Sequence, residues 1–82
     1  MSKKKIGIVT HYFENLKVGI IKAASPIRIG DAVHFKGYTT DFEQEIKEMQ
    51  FDHQSITEAK KGKEFGVKVK SKVREGDKVY LA

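Results

Sequence analysis

Apolar residues fall in short alternating bursts along this chain, broken by glycine or polar pairs every ten residues or so, and that spacing predicts a small β-sandwich or barrel. Ile6 to Phe13 is rich in β-branched and aromatic residues and reads as a strand. Glu14-Asn15-Leu16-Lys17 reads as a turn, and Val18 to Ala23 as a second strand in which Gly19 marks a close backbone approach. Ala24-Ser25-Pro26 ends it, because Pro26 has no N–H for a ladder. Ile27 and Ile29 flank Arg28 in a short extended piece. Val33 and Phe35 alternate with His34 and Lys36 in a third strand that stops at Gly37. Lys61-Gly62-Lys63 is a turn. From Gly66 onwards Val67, Val69 and Val73 share one parity, while Lys68, Lys70, Lys72 and Arg74 share the other. Val79 to Leu81 forms the last strand.

Two segments resist a single reading. Phe42, Ile46 and Met49 have helical spacing among good helix formers. The same stretch is a strand if a bulge shifts the register and turns Ile46, Met49 and Phe51 inward. Ser55-Ile56-Thr57-Glu58 has the form of a capping box, which predicts a helical turn near Glu58.

One pattern occurs twice. Arg28-Ile29-Gly30-Asp31-Ala32-Val33 and Arg74-Glu75-Gly76-Asp77-Lys78-Val79 each place a Gly-Asp turn just before a strand. Glycine tolerates positive φ, and aspartate bonds its own turn backbone. Two matching corners of one β fold are expected.

Charge adds polarity to this picture. Residues 1–40 carry +5, residues 41–58 carry −5 and residues 59–82 carry +5, so the net +5 of the 82 residues is laid out basic, acidic, basic. Such a layout offers one face to a polyanion. The chain has no cysteine, which removes disulfides and thiolate zinc sites and fits a reducing cytoplasm. No apolar run reaches the length of a membrane span. Residues 1–4 are expected as a flexible basic N-terminus and 5–82 as a single domain.

Catalytic chemistry finds little support. His11, His34 and His53 have no metal-ligand spacing, so no metal site is assigned. Ser25, Ser55 and Ser71 sit in turn or strand contexts without a nucleophile-elbow motif. Glu43, Glu45 and Glu48 read as a solvated face. The only Gly-Lys pair is Gly62-Lys63, with Thr57 where a phosphate-binding loop has its first glycine and Glu64 where it has Ser or Thr. No GTP site and no cofactor are expected, and the chain reads as a non-enzyme.

The order of Gly7-Ile8-Val9, the Ile27–Val33 turn, Ile46–Gln50, Ala59–Val67 and Arg74–Tyr80 resembles the second domain of translational GTPases such as elongation factor Tu. Thr10-His11-Tyr12-Phe13, Lys36–Phe42 and Gln50-Phe51-Asp52-His53 resemble the C-terminal barrel of collagenase-like peptidases. Both resemblances imply an all-β fold, a small closed six-stranded Greek-key β-barrel, with Phe42–Phe51 as one long bent strand. The GTPase and peptidase bodies of those families have no counterpart here.

The strongest binding feature is cationic. On a strand, Lys68, Lys70, Lys72 and Arg74 would line one face at about 6.6–7 Å intervals, with Lys60, Lys61 and Lys63 on the turn that enters it. Such a row can track an RNA backbone, and Tyr12, Phe13, Tyr38 and Tyr80 are aromatics able to stack bases. Phe13 and Phe35 fit the core better. The main expectation is a translation-factor-like module touching RNA, tRNA or ribosomal. The alternative is a protein-interaction module docking in trans onto a peptidase-like or other enzyme partner.

Overall fold

The computed structural model describes residues 4–52 and 54–82. Residues 1–3, most of the expected N-terminal arm, and His53 lie outside the described residues. The described chain forms ten strands and no helix: β1 (Lys5–Phe13), β2 (Val18–Ala23), β3 (Ile27–Arg28), β4 (Ala32–Lys36), β5 (Asp41–Glu45), β6 (Met49–Phe51), β7 (Gln54–Ile56), β8 (Glu58–Ala59), β9 (Glu64–Lys68) and β10 (Lys78–Leu81). Eight of them make one sheet in the order β5-β4-β10-β1-β2-β9-β6-β7, and β3 pairs with β8.

Alternation sets the inside of this sheet. Along β2, Ile21 and Ala23 are buried while Lys22 is exposed, and along β4, Val33 and Phe35 are buried while Lys36 is exposed. Ile6, Val9, Ile27, Ile46, Met49, Phe65, Val67 and Val79 complete most of the core. Gly19 lies under the side chains of Val73 and Val69; a Cβ there would come within 3.2 Å of Val73 Cγ2. Two valine side chains, not the backbone expected from the sequence, make the close approach at Gly19.

The paired Gly-Asp turns are present and share their hydrogen bonds. The Arg28 N–H donates to Asp31 Oδ2 and the Arg74 N–H to Asp77 Oδ2, each at 2.9 Å. Asp31 N and Asp77 N return bonds to Arg28 O (3.2 Å) and Arg74 O (3.1 Å). Each turn then delivers its chain into β4 or β10, and those two strands pair with each other.

A clamp holds each turn to the core. The Gly30 N–H donates to Ile46 O, and the Ile46 N–H donates to Asp31 O. Gly76 and Asp77 clamp Val9 in the same way. The turn before β9 repeats the device, with Gly62 N–H donating to Ala23 O and the Ala23 N–H to Lys63 O. The three glycines have φ of 97°, 90° and 88° for Gly30, Gly76 and Gly62, a region glycine occupies without steric cost. The clamped residues, Ile46, Val9 and Ala23, are all buried. Backbone groups that would otherwise be unpaired beside the core are thus satisfied.

Several expectations are corrected. Residues 42–51 are not one continuous strand, since residues 46–48 separate β5 from β6. Ile46 and Met49 are buried as the bulged strand predicts, but Phe51 is 41% exposed. Of the capping-box residues, Ser55 and Ile56 lie in β7 and Glu58 in β8, with Thr57 at the bend between them, and no helical turn forms; the cross-strand pairs Ile27↔Ala59 and Arg28↔Glu58 override the local preference. The sheet is not closed into the expected six-stranded Greek-key barrel. Ten strands form, and β5 and β7 stand at the two ends of an open order.

Candidate functional site

Strand β9 ends at Lys68, and this breaks up the expected cationic row. Lys70, Lys72 and Arg74 lie on an irregular segment, not on a strand. That segment curls back so that the Val69 N–H donates to Lys17 O at 2.9 Å and Val73 is buried over Gly19. The valine parity survives because the core takes up Val69 and Val73 from a loop. The lysines gain no strand spacing in return. Lys60, Lys61 and Lys63 lie on the turn at the opposite end of β9. Lys63 Nζ sits 4.7 Å from the centre of the Phe51 ring and Lys70 Nζ 5.9 Å from that of Phe42. All seven predicted cations are exposed.

His11 and His34 have separate partners. His11 pairs with Glu75 at 3.2 Å and packs against Phe13. His34 on β4 is held by Asp41 and faces Glu43, both on β5. His53 is outside the described residues. Among the described residues no group of three or more His, Cys, Asp or Glu is placed to hold a metal. No helix is long and apolar enough to cross a membrane among them.

An apolar outer face is the feature that sequence reasoning missed. Phe13, expected in the core rather than as a stacking platform, is 44% exposed, and Leu16 in the following turn is 65% exposed. A bulge between Val9 and His11 shifts β1 by one residue, so that Phe13 stands opposite Val18 and His11 opposite Ile20. One such shift reverses which side chains face the core. Val18 and Ile20 are half-buried because they lean over the bare backbone of Gly66; a Cβ there would meet Val18 Cγ1 at 3.2 Å and Ile20 Cδ1 at 3.5 Å. Leu16, Val18, Gly66, Gln50, Glu48 and Lys68 line a groove of about 240 Å³ beside them. The only sequence signal for it was a lone glycine inside a strand pattern.

A larger cleft, about 590 Å³, opens beside this groove between the end of β5 and residues 68–70. Gln44, Glu45, Lys47, Val69 and Lys70 line it, and it shares Glu48 and Lys68 with the groove.

The chain has relatives that match it over nearly its full length. A protease of Methanocaldococcus jannaschii, uncharacterized, is 40% identical over 80 residues, covering 96% of this chain and 20% of the protease. A collagenase of Porphyromonas gingivalis is 34% identical over 80 residues, covering 95% of this chain and 22% of the collagenase. Among solved structures, the C-terminal domain of a Geobacillus thermoleovorans protein assigned to the U32 peptidases superposes with a TM-score of 0.90 at 20% identity, over 96% of this chain and 92% of that domain. This chain has the fold of that domain. No family model matches the sequence. The chain spans about a fifth of the length of the curated relatives it matches. They bear out the resemblance to collagenase-like peptidases drawn from the sequence; the likeness to translational GTPases stays an expectation.

Proposed function

We propose that this chain is a non-catalytic interaction module that docks against a peptidase-type catalytic body, on the same or another polypeptide. The observation that carries the reading is the exposed Phe13–Leu16 face with its groove over Gly66. Large apolar side chains clustered beside a cleft are the usual anchors of a protein interface. The relatives support the choice of partner, because in them a stretch like this one makes up about a fifth of a longer protease or collagenase.

The test is titration calorimetry of this chain with the M. jannaschii protease from which its own matching segment has been deleted. Binding is expected, and Phe13→Ser with Leu16→Ser is expected to weaken it at least 100-fold, two anchor side chains each costing about 2 kcal/mol. Both positions are exposed, so the variant keeps its fold. Unchanged affinity in the folded double variant removes this face from the interface.

A second reading rests on a separate observation. From Lys60 to Arg74 the chain holds seven cations and one acid, Glu64, and all seven cations are exposed. RNA contact through Lys60, Lys61, Lys63, Lys68, Lys70, Lys72 and Arg74 predicts affinity for single-stranded RNA that falls linearly with salt on logarithmic axes. Lys68→Glu with Lys70→Glu and Lys72→Glu should then lose at least about tenfold in affinity. No binding to RNA at low salt, measured by fluorescence anisotropy, leaves the docking reading alone.

A further inference from the structure

We infer that the cleft between β5 and residues 68–70 is a binding site for the main chain of an extended peptide, for which the Gln44 side chain now stands in. β5 is an end strand of the sheet, and its ladder partner is β4 on the other side. Gln44 shares the inward parity of Phe42 and reaches across the open seam. Its Nε2 donates to Lys68 O and its Oε1 accepts from the Lys70 N–H, both at 2.9 Å.

Those two bonds have a specific form. In a parallel ladder a residue donates its N–H to the carbonyl before its neighbour and accepts from the N–H after it. Around Val69 the partners are Lys68 O and Lys70 N–H, so the Gln44 carboxamide makes the pair that one residue of a parallel strand would make. A side-chain amide and a peptide unit carry the same donor and acceptor. A peptide segment running alongside residues 68–70 would take both bonds over, as in recognition by strand addition. The open volume is already there, about 590 Å³ lined by Gln44, Glu45, Lys47, Lys68, Val69 and Lys70. The lining carries both signs of charge, so the main chain is the element recognised. The site goes beyond the docking reading, and its test uses the isolated chain, so failure of one leaves the other standing.

The probe is an uncharged twelve-residue peptide of Ser, Thr and Val in physiological salt, followed by amide NMR of the labelled chain. Saturable shifts are expected at the Lys70 N–H and the Gln44 carboxamide. The same peptide with alternate residues N-methylated has lost its donors along one edge and is expected to lose the effect. Gln44→Ala removes the resident competitor and is expected to bind the peptide at least about fivefold more tightly. If that variant does not fold, Gln44→Asn, one methylene too short to span the seam, is expected to show the same gain. No shift at Lys70 up to millimolar peptide, equal binding of the N-methylated peptide, or shifts confined to the Phe13–Leu16 face would each overturn the assignment.

Discussion

Gly37→Ala is expected to destabilise the fold by about 3 kcal/mol, the sum of overpacking and a lost charged hydrogen bond. A Cβ on Gly37 would lie 1.9 Å from Asp77 Oδ1 and 2.5 Å from Asp77 Cγ. Moving the outer oxygen alone does not relieve a clash with Cγ, so the whole carboxylate has to leave. Asp77 is 5% exposed, and its carboxylate accepts the Arg74 N–H at 2.9 Å. Displacing it frees that donor and loosens the turn that feeds β10. In a domain of this size the loss should lower Tm by about 15 °C. A double-mutant cycle isolates the cause. Asp77→Ala alone should cost about 2 kcal/mol, for the lost hydrogen bond and the partly buried donor left behind. In that background Gly37→Ala should cost less than about 1 kcal/mol, because its steric partner is gone. Equal cost in both backgrounds would show that Gly37 acts through something other than Asp77.

Phe35→Ala is expected to cost about 4 kcal/mol, a large part of the stability of any small domain. Phe35 is fully buried and stacks on Phe42 with ring centres 5.1 Å apart. The surrounding strands cannot close on the space it leaves, because their ladders fix their separation. Phe13→Ala removes the same atoms from the outer face and should change stability by less than about 0.5 kcal/mol. The chain has no tryptophan and three tyrosines, so urea unfolding would be followed by circular dichroism or tyrosine emission. Similar losses for the two phenylalanines would contradict the side of the sheet assigned to Phe13. Read with the calorimetric test above, the pair separates the residue that holds the fold from the one that meets a partner.

The docking reading and the seam meet on one stretch of surface. Glu48 and Lys68 line both the groove and the cleft. A module seated by its Phe13–Leu16 face on a peptidase-type body would hold an extended polypeptide within reach of that body. The proposed arrangement needs no catalytic group in the module itself.

By itself the sequence determined the all-β class, the strands β1, β2, β4 and β10 and the matched Gly-Asp turns. These features are local. Alternation dictates which side of a strand is buried, and only glycine takes the φ of 97° and 90° found at Gly30 and Gly76. The burial of Val67 was readable for the same reason, whereas Val69 and Val73 keep their burial on a loop. Tertiary structure decided the rest. The bulge in β1 is set by pairing with β2, and it turned Phe13 outward against its apolar character. Residues 55–58 gave up a helical cap because Ser55 and Ile56 pair with the neighbouring strand β6 and Glu58 with Arg28, far back along the chain. The cationic row was lost where β9 ended, since the core needed Val73 over Gly19 more than the lysines needed regular spacing. Gln44, one polar residue in an acidic strand, had no signal of its own. Its role exists only because folding brings residues 68–70 opposite it and leaves the sheet open there.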